Sequence, residues 1–138
     1  MILGGRINKA EAKRLKDGAV KGLAVNIDVR EVREDGDKLI VSYEYTVAYQ
    51  PEMAEIKLAG EIVASEDAAS RKKILEEWKK SKTMLPSFAE DVLTAINYAG
   101  TATGTLLSFS IGIGAPLNIP RARLQEAPKD AKKQTKAG

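Results

Sequence analysis

Carboxylates, hydroxyls, lysine and arginine carry all the chemistry this sequence offers, because its 138 residues contain no cysteine and no histidine. Their absence removes thiolate nucleophiles, disulfides, imidazole general bases and the usual zinc sites together. Glu44, Glu55 and Glu61 fall on the polar side of alternating segments, where two carboxylates could stand close enough for acid–base work. Strand alternation by itself predicts the same glutamates on a solvated sheet face with Lys57 and Arg30 as surface partners, and that is the simpler account. No phosphate-binding loop of the Gly-x-x-x-x-Gly-Lys or Gly-x-Gly-x-x-Gly kind occurs, and Gly112-Ile113-Gly114 is too short and lacks the strand-helix-strand context. No catalytic residue, cofactor or metal site is expected, which shifts the reading from enzymes to binding and assembly.

Binding chemistry is concentrated in aromatic and basic residues. Tyr43, Tyr45 and Tyr49 share the apolar side of one alternating run, and each ring offers apolar area plus a hydroxyl that needs a partner. They belong either to a core beneath helices or, with Trp78 and Phe109, to the lining of a surface that holds extended polypeptide. Gly100 and Gly104 are spaced for close approach of a helix from another subunit, or mark a break between two segments. Lys129, Lys132, Lys133 and Lys136 could contact RNA phosphates in a salt-sensitive, sequence-independent way. No aromatic residue accompanies these lysines to stack on bases, so a solubilising tail is the simpler account.

The elements that must position these residues follow from period and punctuation. Asn8 and Glu11 have capping-box spacing, and Asp17-Gly18 supplies a stop, which predicts a short helix over 9–16. Leu23, Val25, Ile27 and Val29 alternate with polar residues as in a half-buried strand, and Arg30-Glu31 breaks the alternation as a bulge would. Asp35-Gly36 marks a hairpin, after which Leu39 to Tyr49 form a long strand and Ala54 to Ile62 another. Ser65 or Asp67 can cap a helix running to about Lys80, and Leu85-Pro86-Ser87 opens a second, with Ser87 and Glu90 as its capping box. From Thr101 to Gly114 the local pattern prefers strand, since Leu107, Phe109, Ile111 and Ile113 alternate with Ser108, Ser110, Gly112 and Gly114. Pro116 to Pro120 reads as extended, and the polar, aperiodic residues 125–138 as a disordered tail. The expected fold is therefore α+β: one domain over residues 1–124, an antiparallel meander of three to four long strands with helices packed on one face.

Charge divides the chain. Residues 1–120 carry a net −1, whereas residues 121–138 carry a net +4, so the overall +3 belongs to the tail. An N-terminus of Met1-Ile2-Leu3-Gly4-Gly5-Arg6 lacks the apolar run of a secretory signal, and a cytoplasmic location is expected. Val92 to Pro120 holds no charged residue over 29 positions, yet four threonines, two serines and two asparagines interrupt it. Membrane insertion is therefore not expected. A soluble chain more readily hides so long an uncharged segment between subunits, which predicts a homo-oligomer.

The order of these elements resembles a known family. A long-stranded meander, a helix opening Leu85-Pro86-Ser87-Phe88-Ala89-Glu90 and the close Pro116-Leu117-Asn118-Ile119-Pro120-Arg121 are similar to the SecB export chaperones. The segments Val47 to Ile56 and Ile74-Leu75-Glu76-Glu77-Trp78 look most like the small archaeal SecB-like proteins. Over residues 20–124 this resemblance implies a subunit that assembles through sheets and helices, with a groove of aromatic and aliphatic side chains for unfolded polypeptide. It also implies helix rather than strand over 101–111. SecB proteins are typically acidic where they dock the translocase motor, whereas this body is near neutral and its tail basic. That departure keeps open a second function, an RNA- or ribosome-associated accessory protein anchored by the tail.

Overall fold

The computed structural model describes residues 1–114, which form β1 (Ile2–Arg14), β2 (Gly22–Asp35), β3 (Lys38–Gln50), β4 (Ala54–Ser65), α1 (Ala68–Ser81) and α2 (Pro86–Ser110). The four strands make one antiparallel sheet in the order β1-β4-β3-β2. Strands β2, β3 and β4 are the expected meander. Asp35 pairs with Lys38 across the turn, where Gly36 takes φ +63°, and Arg30 is the extra residue at the β2 bulge between Val29 and Glu31.

The expected helix over 9–16 is instead the second half of β1. Ala10, Ala12 and Arg14 pair with Leu58, Ile56 and Ala54, giving β4 a second neighbour. Register shifts between Ile2 and Gly4 and between Ile7 and Lys9 break the period-two pattern, so the strand is hidden from a reading of alternation. Capping propensity at Asn8 is worth little against a full ladder of main-chain hydrogen bonds and the cover β1 gives to β4. Residues 15–21 then cross from one sheet edge to the other, held to the β3–β4 turn by Leu15 N–H to Met53 O at 2.8 Å and Lys21 N–H to Gln50 O at 2.8 Å.

The helices cover one face. Inward residues of β3, from Leu39 through Tyr49, are 3% exposed or less, and Ile56, Leu58, Ile62 and Ala64 of β4 are 4% or less. Asp67 caps α1 by accepting from Ser70 N–H at 2.8 Å, which holds its carboxyl below the usual carboxylate range. Ile74 and Trp78 are the buried residues of α1. In α2 the expected Ser87–Glu90 box is not used: Leu85 is the N-cap without a side-chain bond, and Pro86 occupies the first turn.

Residues 101–110 continue α2 as helix, correcting the local strand reading and agreeing with the family resemblance. The reason lies in the buried stripe Phe88, Val92, Ile96, Gly100, Gly104 and Ser108, which recurs every fourth residue and carries the helix across the sheet. Gly100 marks its closest approach, since a Cβ there would stand 2.5 Å from Tyr45 ring atoms. The expectations for Pro116 to Pro120, the domain boundary at Leu124, the tail over 125–138 and Lys129, Lys132, Lys133 and Lys136 lie outside the described residues. No helix among the described residues is long and apolar enough to cross a membrane.

Candidate functional site

The outer face of the sheet takes the glutamates. Arg30 bonds Glu44 at 2.7 Å and also contacts Asp28 at 3.1 Å, contacts that raise the arginine pKa. Lys57 pairs with Glu55 at 3.8 Å, and Glu61 sits between Arg33 at 3.2 Å and Arg6 at 3.4 Å. Each carboxylate has a cation partner, as expected of a solvated sheet face. Among the described residues no group of three or more acidic side chains could hold a metal ion.

The helix-covered face is different, because α2 does not fill it. Between β1 and the N-terminal half of α2 lies an open groove of about 860 Å³. Ile2, Ile7 and Ile62 line it from the sheet, Ala95, Tyr98 and Ala99 from the helix, and Tyr43 forms part of its floor. Gly60 makes that floor possible, since a Cβ there would lie 2.8 Å from the Tyr43 hydroxyl and 2.5 Å from Arg6 O. Burial raises the Tyr43 pKa above its ordinary value. Glu90 and Asp91 stand at the rim, and neither makes an ion pair with a described residue. On the other flank of α2, Val25 and Ile27 of β2 face Leu93, Thr94 and Asn97 across a shallower cleft.

The aromatic residues singled out from sequence are not one surface. Tyr43, Tyr45, Tyr49 and Trp78 join a single core, at 2%, 1%, 3% and 9% exposure, and of the three tyrosines Tyr43 alone lines the groove. Tyr45 is sealed beneath Gly100. Burial pushes the Tyr49 pKa up to about 12, and its hydroxyl donates to Gly114 O at 2.8 Å. Lys82 Nζ lies 5.5 Å from the centre of the Trp78 ring. Phe109 is 66% exposed, on the opposite side of α2 from the core. Gly100 and Gly104 are both buried residues of α2, and Gly100 lies against this chain's own Tyr45.

Sequence reasoning missed Tyr98, at 79% exposure the most exposed aromatic side chain of the described residues, together with Ile2, Ile7, Ala95 and Ala99. Continuing the helical period past Gly100 would have aligned Ala95, Tyr98, Ala102, Leu106 and Phe109 on one side.

The architecture matches a solved structure, the SecB-like chaperone Rv1957 of Mycobacterium tuberculosis in complex with a ChAD peptide from the antitoxin HigA1. The TM-score is 0.56 at 12% sequence identity, over 87% of this chain and 88% of that one. The fold is SecB-like. No family model and no curated protein matches the sequence. At that identity the likeness speaks for the arrangement of sheet and helices.

Proposed function

We propose that this chain is a non-enzymatic, chaperone-like protein of the cytoplasm that holds extended, unfolded polypeptide segments in the groove between β1 and α2. The groove carries the reading: an open, largely apolar recess beside a sheet edge, with the Tyr43 hydroxyl, Glu90 and Asp91 among its lining. An extended segment laid there buries alternate side chains, at about 25 cal/mol per Å² of apolar area. Among the described residues β1 pairs with β4 alone, and a segment laid along its other edge would bond that main chain. Glu90 and Asp91 favour segments with lysine or arginine beside the apolar residues. The peptide bound to the SecB-like neighbour supports this use of the fold, and delivery of clients for export is the finer form of the same proposal.

Light scattering from an aggregating, unfolded client tests it. Several-fold excess of the protein should suppress aggregation, and Thr94→Trp, which fills the groove from an exposed position, should abolish suppression without altering the circular dichroism. No suppression by the wild type overturns the proposal. The net +4 of residues 121–138 supports a second reading, RNA attachment through Lys129, Lys132, Lys133 and Lys136. Ending the chain at Leu124 would then abolish RNA binding and its salt dependence, whereas unchanged binding excludes the tail as anchor.

A further inference from the structure

We infer that the groove between β1 and α2 has an occupant in this chain itself: residues 115–124, seated antiparallel to β1, with Leu117 and Ile119 in the recess and Arg121 and Arg123 against Glu90 and Asp91. Helix α2 runs beside β1 from the groove toward the opposite end of the strand. Near its start Glu90, Asp91 and Ala95 line the groove with Ile2 and Ile7. Its exit is tied to the far end of β1, where Arg14 Nη1 donates to Ile111 O at 2.9 Å and Gly112 O at 2.8 Å. The chain therefore leaves Gly114 at the end of the same seam, with residues 115–138 still to follow.

Length and order both fit. From Ser110 back to Asp91 the helix spans about 29 Å, which an extended segment covers in about nine residues. On that scale Ile119 comes about level with Ala99, Arg121 with Ala95, and Arg123 with Glu90 and Asp91. Pro116 and Pro120 turn the residues before them away from helix. Being four apart, they lack their N–H on the same side of an extended strand, whereas Leu117, Ile119, Arg121 and Arg123 keep every N–H on the other. That second row can bond the edge of β1, which among the described residues pairs with β4 alone.

The same parity puts those four side chains on one face, two apolar and then two cationic. Followed from the helix exit, the groove presents its groups in matching order, Ala99, Tyr98 and Ala95 before Asp91 and Glu90. Its own cations are engaged elsewhere: Arg6 with Glu61 at 3.4 Å, and the Met1 amine with Glu66. Complementary charge therefore selects the arginines that follow Pro120. Attachment at Gly114 makes the contact intramolecular, at an effective concentration on the order of millimolar, so modest contacts suffice to hold it. Clients then compete with the chain's own segment, and this clause alone rests on the client reading.

The absence of cysteine permits a direct test in the full chain. Under mild oxidation Ala95→Cys with Arg121→Cys should form an intrachain disulfide several-fold faster than Leu93→Cys with Arg121→Cys, since Leu93 lines the cleft on the other flank of α2. Equal rates for the two pairs overturn the seat, and a link that joins two chains overturns it in favour of a second copy. In trypsin digestion of the wild type, cleavage after Arg121 and Arg123 should be several-fold slower than after Lys132 and Lys133. Glu90→Gln with Asp91→Asn, both exposed positions, should erase that difference with unchanged circular dichroism. A difference that persists in this variant overturns the pairing with the two acids. Ile119→Asp should unseat the segment and suppress client aggregation at several-fold lower excess than the wild type. If the two proteins suppress alike while the cross-link forms, competition is refuted and the seat stands; if neither suppresses, the client reading fails and the cross-link still decides the seat.

Discussion

One sheet carries two faces of opposite character, built from alternate residues of the same strands. Outward from β3 and β4 point Ser42, Glu44, Thr46, Glu55, Lys57 and Glu61, bridged by Arg6, Arg30 and Arg33 from the edges. Ile40 and Val63, beside Leu3, are the apolar exception on that side. Inward point the tyrosines and aliphatics that α1 and α2 cover unevenly, sealing Tyr45 and Val47 while leaving an open groove beside β1. Ionic partners on the outer face are short-range and mutual, so that face is complete in itself. The inner face is held by area, and two helices of 14 and 25 residues leave area over. Unfilled apolar area is what binding can use.

Breaking the inner face should cost most. Tyr45 is 1% exposed beneath α2, and Tyr45→Ala should destabilise by about 3–5 kcal/mol, the range for deleting a buried ring. Urea denaturation followed by circular dichroism measures it, and a loss below about 1 kcal/mol would mean that α2 does not seat on this ring. Gly100→Ala sharpens the same point in the opposite sense, by adding an atom. Its Cβ would meet Tyr45 at 2.5 Å, so an overpacking cost of about 1–3 kcal/mol should exceed the gain of about 1 kcal/mol that alanine brings to a helix. A rise in melting temperature for Gly100→Ala would contradict that packing.

How much of this was legible depends on how local the determinant is. Strand β3 declares itself because six inward residues alternate without a break, and the β2–β3 turn because Asp35-Gly36 satisfies a positive φ on its own. The cap of α1 at Asp67 is equally local. Strand β1 was not legible: its two irregularities scramble the period, and what makes it a strand is the free edge of β4, some fifty residues away in sequence. The C-terminal half of α2 misled because Leu107, Phe109, Ile111 and Ile113 alternate, while the stripe that decides the matter is fixed by contact with the sheet. The groove was half legible. Tyr43 was named, but the opposing wall of Ala95, Tyr98 and Ala99 required knowing that the helix continues and which side it turns to the sheet.

Between the sealed core and the open groove stands the exit of α2, a place of intermediate strength. Arg14 Nη1 donates to Ile111 O at 2.9 Å and Gly112 O at 2.8 Å, and the Tyr49 hydroxyl to Gly114 O at 2.8 Å. Tyr49→Phe should cost about 1 kcal/mol, one hydrogen bond, and should also change the alkaline limb of stability. Burial raises the Tyr49 pKa from 10.0 to about 12. Between those values the unfolded chain has released a proton that the folded chain retains, so unfolding gains as pH rises. Stability should hold below about pH 10 and fall toward pH 12. Melting temperatures between these limits should decline less steeply for Tyr49→Phe, and parallel curves would show that this hydroxyl is not the titrating group.

The smallest effect belongs to the outer face. Glu44→Gln removes the charge that Arg30 bonds at 2.7 Å, in a pair whose side chains are 47% and 57% exposed. Exposed pairs contribute little because water solvates both charges well and holding two long side chains in register costs entropy. Asp28 remains 3.1 Å from Arg30 as a second anion, so the guanidinium is not left alone. Melting temperature should therefore be close to that of the wild type, any small loss should vanish at high salt, and suppression of client aggregation should be unchanged. A large, salt-insensitive loss would show the outer face holding the sheet as the inner one does, and loss of client binding at normal stability would move the site across the sheet. The predicted contrast with Tyr45→Ala, two side chains from adjacent positions on β3 with opposite consequences, is the sharpest measure of how differently the two faces are held.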